Sequence, residues 1–296
     1  MPGSFDYFRA RNLVEATAAL KQEGAVVLAG GTDLLVNIRG NKVYPQLVVD
    51  IKGLPELKGI RETREGGLWI GALTTMKEIA INTLIQERYK ALAEAASVMG
   101  CFEIRVRATI GGNICNASPG AETGPVLAIL NAAVEIGGPG GRRILPLEQF
   151  LLGPGRTALG QGEVLVGFIL PPLPSGSRTA YLRRSRIKGM DLAAVSVAVL
   201  AGLPDSEGKR EIRVAAGAVL ATPARVGTVE EILKQGPLTY ERIRQARDRF
   251  AEVIAPRAGS LRATPEYKQE MVGQLMEMAL AKLAALEYRL EEVATL

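Results

Sequence analysis

Two glycine pairs constrain this chain more than any other feature of its sequence. Gly30-Gly31 lies in the run Ala29-Gly30-Gly31-Thr32-Asp33-Leu34-Leu35, directly after the apolar stretch Ala25-Val26-Val27-Leu28. Gly111-Gly112 lies in Thr109-Ile110-Gly111-Gly112-Asn113-Ile114-Cys115-Asn116-Ala117-Ser118-Pro119. Paired glycines let the backbone enter positive φ and approach a ligand with no Cβ in the way. Successive N–H groups in such a turn can converge on an anion. In the first run a short buried strand feeds the glycines, and Thr32 or Asp33 opens a helix ending near Gly40. That geometry presents free N–H groups and a positive dipole end to a phosphate. A tight turn that binds nothing carries the same text. Two such turns in one chain favour a protein that holds a pyrophosphate. Neither has the G-x-G-x-x-G spacing of a Rossmann unit, so that fold is not implied.

What the chain lacks narrows the chemistry further. It contains no histidine and two cysteines, Cys101 and Cys115. Ser-His-Asp and Cys-His catalysis, His-ligated zinc and a flavin tethered through histidine are therefore excluded. Two thiols are also too few for an iron–sulfur cluster, which takes about four. A redox role would need an organic cofactor, or metals on another chain. At 296 residues, 47% of them hydrophobic, the chain suits two domains sharing an interface. Its longest apolar run, residues 192–203, is too short to span a bilayer and suits a buried strand. No charged start leads into an apolar segment, so the cytoplasm is the expected location. The net charge of +5 is spread out, densest at residues 183–188 and at Arg242, Arg244, Arg247 and Arg249. With 5% aromatics this is no nucleic-acid surface, and the second cluster reads as a solvated helix face.

Along the chain, Asn12 caps a helix to about Glu23 with Gly24 as its stop, and residues 47–50 form a strand. Residues 68–72 form a strand that feeds a capping-box helix at Thr75 and Glu78. A helix follows over residues 87–98, and another from Gly124 to about Asn131. Residues 134–136 and 142–146 pair as a hairpin around a glycine cluster, which joins two strands and opens no helix, so it is not a phosphate loop. A strand near 163–170 leads to the clearest boundary, Pro171-Pro172-Leu173-Pro174-Ser175-Gly176. Three strands then cover about 179–186, 192–203 and 211–218. Thr222-Pro223 starts a helix, and two more start at Thr239 and Thr264-Pro265. The last carries Met271, Leu275, Met278, Leu283 and Leu286 at helical spacing, a core or subunit stripe. Arg105 and Arg107 read equally as phosphate neutralisers or as solvated loop residues. Cys115 reads as packing, because no base accompanies it.

Both glycine runs resemble the FAD-binding medium subunit of the molybdenum hydroxylases, the family of CO dehydrogenase flavoprotein and bacterial xanthine dehydrogenase. That family's two motifs read roughly A-G-G-T/H-D/S and T-I-G-G-N/D. The likeness continues at Asp50-Ile51-Lys52-Gly53, at Ile70-Gly71-Ala72-Leu73-Thr74-Thr75, and at Lys188-Gly189-Met190-Asp191-Leu192-Ala193, similar to the family's R-R-x-x-M-D-L-A. The resemblance implies an α+β fold. A two-part FAD-binding domain of the vanillyl-alcohol-oxidase-like type is expected over 1–174, in subdomains of about 1–55 and 56–174. A small C-terminal domain, a three-stranded antiparallel sheet with helices, is expected over 177–296.

The same resemblance implies non-covalent FAD held by Ala29, Gly30, Gly31, Thr32, Asp33, Leu34 and Leu35 and by Thr109, Ile110, Gly111, Gly112 and Asn113. Glu122 stands where relatives usually carry a cofactor-contacting aspartate, and is one methylene longer. Val106 stands where they usually carry asparagine. Lys188 and Leu192 are expected near the isoalloxazine, while Asp191 reads equally as the cap of a turn. The implied partners are a large molybdopterin-binding subunit and a small subunit with two 2Fe–2S clusters, arranged as a dimer of heterotrimers, with no nucleic acid and no membrane insertion. Molybdenum–pterin and iron–sulfur would then reside on those partners only, and electrons would reach FAD and leave to an external acceptor. Two other readings stay open: a self-sufficient flavoprotein oxidase or reductase of the same fold, and an assembly module without cofactor. Valine at Gly31 or Gly111 is expected to abolish flavin retention without unfolding the chain.

Overall fold

The computed structural model describes residues 4–257, 259–260 and 262–284. The chain begins with β1 (Asp6–Arg9), α1 (Leu13–Ala19), β2 (Ala25–Leu28), α2 (Leu34–Arg39) and β3 (Leu47–Asp50). The three strands form a parallel sheet in the order β1-β3-β2. Asn12 caps α1 as its residue type favours, its side chain accepting the N–H of Glu15 at 2.8 Å. The helix stops at Ala19, short of the expected Glu23. The N–H groups of Lys21 and Gln22 turn to the carbonyls of Ala18 and Ala19, and Gly24 at φ +72° swings the chain into β2.

The middle region runs through β4 (Ile60–Glu62), β5 (Leu68–Gly71), α3 (Met76–Ile81), α4 (Thr83–Arg88), α5 (Lys90–Val98), α6 (Phe102–Arg105), α7 (Ile110–Cys115) and α8 (Thr123–Ile129). It continues with β6 (Ala133–Gly138), β7 (Gly141–Pro146), α9 (Leu147–Phe150), β8 (Leu151–Gly153), β9 (Arg156–Thr157) and β10 (Val164–Leu170). Five of these strands form an antiparallel sheet in the order β4-β5-β10-β6-β7. The expected capping box is present: Glu78 Oε2 accepts the N–H of Thr75 at 2.7 Å, and Thr75 Oγ1 accepts that of Glu78. The helix expected over 87–98 is two helices broken at Tyr89. That residue leaves helical geometry (φ −128°, ψ 45°) to bury its ring and donate its hydroxyl to Pro171 O at 3.2 Å.

β11 (Arg178–Arg184), β12 (Val195–Ala201) and β13 (Ile212–Gly217) are the three strands expected in the last region, and a two-residue strand β14 (Ala224–Arg225) extends the antiparallel sheet along β13. Thr222-Pro223 starts no helix. The two residues after it pair with Ala215 and Ala216, and the guanidinium of Arg225 is held by the buried carboxylate of Glu230. Helix α10 (Gly227–Lys234) follows, then α11 (Tyr240–Val253), capped by Thr239, and α12 (Pro265–Ala284). In α12 Leu275 and Met276 enter the core, Met271 and Leu283 pack at its edge, and Met278 is half-buried. Leu286 lies outside the described residues.

Period-two patterning explains how the layers stack. Along β12, Val195, Val197, Val199 and Ala201 join the core beneath α10–α12, while Ala198 and Leu200 join the core of the middle region. Likewise Trp69 faces the N-terminal sheet while Leu68 and Ile70 face helices α3–α8; on β10 a bulge between Leu165 and Gly167 shifts the alternation, so that Val164 and Val166 join Trp69 and Phe168 joins Ile70. Both central sheets are therefore buried on two faces. At about 1.5–3 kcal/mol per fully buried Val, Leu or Ile, these alternating sets hold the layers together. No described helix is long and apolar enough to cross a membrane.

Candidate functional site

A cavity of about 480 Å³ opens where the N-terminal sheet, the middle region and the loop before β12 meet. Its first wall is the turn after β2. Leu28 O still accepts the N–H of Ile51 at 3.1 Å, and then the chain leaves the sheet with Gly31 at φ +76°. Ala29, Gly30, Gly31, Thr32, Asp33 and Leu34 all line the cavity. The N–H groups of Gly30, Gly31, Thr32 and Asp33 find no acceptor among the described residues. Asp33 stands at the N-cap of α2 but makes no side-chain cap. A Cβ on Gly30 would lie 2.2 Å from Arg107 O, so this position must be glycine for the turn to rest on the backbone leading into the second motif.

The second wall is built differently. Thr109 caps α7, its Oγ1 accepting the N–H of Gly112 at 3.0 Å. The N–H of Ile110 donates to Thr74 O, that of Gly111 to Ala72 O at 2.9 Å, and that of Asn113 to Thr109 O. The amides of Ile110, Gly111, Gly112 and Asn113 thus each have a protein acceptor, so the expectation that both turns offer free main-chain N–H groups to one anion does not hold for these four. Gly111 is glycine for space: a Cβ would sit 2.7 Å from Ala72 Cβ and O. Valine there would push α7 off the β5–α3 connection, so an intact fold is not expected of that variant. Thr109, Gly111, Gly112 and Asn113 line the cavity, whereas Ile110 is fully buried in the core. Asn113 Oδ1 accepts the hydroxyl of Thr123 at 2.7 Å, which fixes its amide.

Glu122 forms the floor near the C-terminal region. It is 2% exposed, takes the hydroxyl of Tyr181, and pairs with Arg183 Nη1 at 2.5 Å. Burial pushes its carboxyl above the usual range, against the pull of Tyr181 and Arg183. The sequence singles out neither Tyr181 nor Arg183, both on β11, as a site residue; Arg183 shows there only as the start of the basic run 183–188. Arg183 Nη1 also donates to Asp191 O at 3.1 Å.

The Asp191 carboxylate accepts from the N–H of Leu192 and from the backbone and guanidinium of Arg186, the turn-capping role. Leu192 reaches the cavity, while Lys188 is exposed and, like Leu35, does not line it. Arg105 donates to the carbonyls of Met99 and Gly100, holding the cavity wall, and Arg107 is exposed. Burial pushes the Cys115 thiol up to about 12, so it stays protonated.

The arrangement suits a ligand with an anionic middle and a flat apolar end. The glycine turn stands on one side, and Leu73, Leu165 and Leu192 are among the apolar residues of the other walls, with Asn113 and Glu122 between them.

Comparison with known proteins agrees. Residues 3–173 match the family described as the FAD binding domain in molybdopterin dehydrogenase, and residues 180–283 match the CO dehydrogenase flavoprotein C-terminal domain. The chain is 32% identical to the xanthine dehydrogenase FAD-binding subunit of Escherichia coli O157:H7, over 94% of this chain and 96% of that one. It is 34% identical to the carbon monoxide dehydrogenase medium chain of Hydrogenophaga pseudoflava, over 95% and 97%. It superposes on a chain of reconstituted CO dehydrogenase from Oligotropha carboxidovorans with a TM-score of 0.90 at 30% identity, covering 96% of this chain and 99% of that one.

The first match alone defines a FAD-binding protein of the molybdopterin dehydrogenase class. Within that class the chain belongs to the family of xanthine dehydrogenase FAD-binding subunits and CO dehydrogenase medium chains, and is an oxidoreductase flavoprotein subunit.

Proposed function

We propose that this chain is the electron-transfer subunit of a molybdenum-containing hydroxylase, taking electrons from iron–sulfur clusters on a partner and passing them through FAD to an external acceptor. The observation that carries the site assignment is the run Gly30, Gly31, Thr32 and Asp33, which lines a largely apolar cavity and whose amides have no acceptor among the described residues. These amides would hold the pyrophosphate without a positive side chain. Thr109, Gly112 and Asn113 would then border the same cofactor through a hydroxyl, an open Cα and a fixed amide. Leu192 would lie against the ring and keep water from it. FAD supplies the redox chemistry when bound; the protein positions it and sets its potential.

With no histidine and two cysteines in the sequence, metal ligands would come from a large molybdopterin-binding subunit and a small 2Fe–2S subunit, in a dimer of heterotrimers. Placement in the cytoplasm fits that assembly. The domain division proposed is 1–174 and 177–296, meeting at the proline-rich connection.

The chain purified from its native host is expected to be yellow, to release FAD on denaturation, and to bring down two partner chains carrying molybdenum and iron. A colourless chain, or full substrate turnover by an isolated monomer, would reject the proposal.

A further inference from the structure

The loop of residues 185–192 crosses from β11 toward the cavity with little apolar anchorage. Ile187, Met190 and Leu192 on it are 61%, 65% and 42% exposed. What fixes it is polar. Its far end is gathered on Asp191, whose carboxylate binds the N–H groups of Arg186 and Leu192 and whose carbonyl accepts from Arg183. Arg183 is in turn paired with Glu122, which belongs to the opposite side of the seam and also takes the Tyr181 hydroxyl.

A carboxylate 2% exposed is tolerable only while its donors stay in place, and here the two side-chain donors come from the C-terminal region. Opening the seam at this point would strip Glu122 of both at once. The contact therefore closes or opens as a unit.

We propose that Glu122, Tyr181 and Arg183 form a latch that pins the 185–192 loop with Leu192 against the cavity, so that bound flavin escapes only when the latch opens. Glu122 is then a positioning residue, acting through Arg183 and Asp191 on Leu192. Its longer side chain spans the seam where the family resemblance expects an aspartate. The part of this inference that concerns flavin rests on the FAD reading above; the pinning of the loop does not.

The test uses the full chain and two readouts. Trypsin cleavage at Lys188 in flavin-free protein reports how often the loop opens. The rate at which FAD fluorescence appears on dilution of the loaded protein reports release. Glu122→Gln, which keeps the shape and removes the charge, is expected to speed both by about tenfold or more, the loss of one charge-assisted bond. Arg183→Met is expected to match it, and the double variant to be no faster than either single one. Should Arg183→Met fail to fold, Tyr181→Phe takes its place in the cycle.

Unchanged cleavage in Glu122→Gln, or effects that simply multiply in the double variant, would overturn the latch. Cleavage that responds in a chain unable to retain FAD would support the latch while rejecting the flavin reading.

Discussion

The two diglycine turns border one cavity and share much of their spelling, yet they spend their backbone in opposite ways. At Gly30-Gly31 the amides through Asp33 have no acceptor among the described residues, and Gly31 holds a positive φ that L side chains avoid. At Gly111-Gly112 the amides are already bonded to Ala72 and Thr109, and neither glycine has a positive φ. Gly111 is small because α7 lies directly on the chain at Ala72, whereas a Cβ on Gly112 would meet only the Thr109 hydroxyl, at 3.0 Å. Glycine in a binding motif can thus serve the ligand by offering donors, or serve the scaffold by letting a wall stand close. Sequence alone does not separate the two uses, since both ask only for the absence of a Cβ.

Substitutions can break this contrast. Gly111→Val is expected to have the largest effect on stability, a loss of about 3 kcal/mol from forced overpacking against Ala72, with flavin lost as a consequence. Urea unfolding measures it; a chain as stable as wild type would show that α7 has room. Gly31→Ala is expected to cost about 1–2 kcal/mol of local strain at φ +76°, and to weaken FAD binding more than it weakens the fold. A fluorescence titration run beside the urea curve separates the two losses. If Gly31→Ala cost more stability than Gly111→Val, the roles assigned to the turns would be reversed. Thr109→Val is expected to have the smallest effect, about 1 kcal/mol of stability from the lost cap on α7, because the N–H of Gly112 then lacks its acceptor. Heat denaturation without FAD measures that loss, and a larger shift with FAD present is the mark of the hydroxyl bordering the cofactor.

Much of the architecture could be read from residue patterns because its causes are local. The strand at residues 25–28, the Asn12 cap, the Thr75 capping box and the long apolar β12 follow from short-range rules. What escaped depends on distant partners. Tyr89 breaks a helix to reach Pro171, 82 residues on. Ala224 and Arg225 leave the expected helix to pair with Ala215 and Ala216, where buried Glu230 holds the arginine. At the site, the glycine runs pointed to the cavity walls, and of the residues in Ala29–Leu35 and Thr109–Asn113 all but Leu35 and Ile110 line it. The Glu122–Tyr181–Arg183 cluster was illegible, because its members lie 59 and 61 residues apart along the chain. Nothing near Glu122 in sequence shows that its carboxylate meets an arginine.

One strand carries a practical consequence for anyone wishing to divide this molecule. Because β12 gives alternate side chains to two different cores, cutting the chain within the Pro171-to-Ser177 connection would leave each fragment with a bare greasy face: Ala198, Leu200 and Ala215 on one, their former neighbours on the other. Expressed singly, such halves should clump. Produced together they should reassemble, making this seam a natural place to build a split reporter.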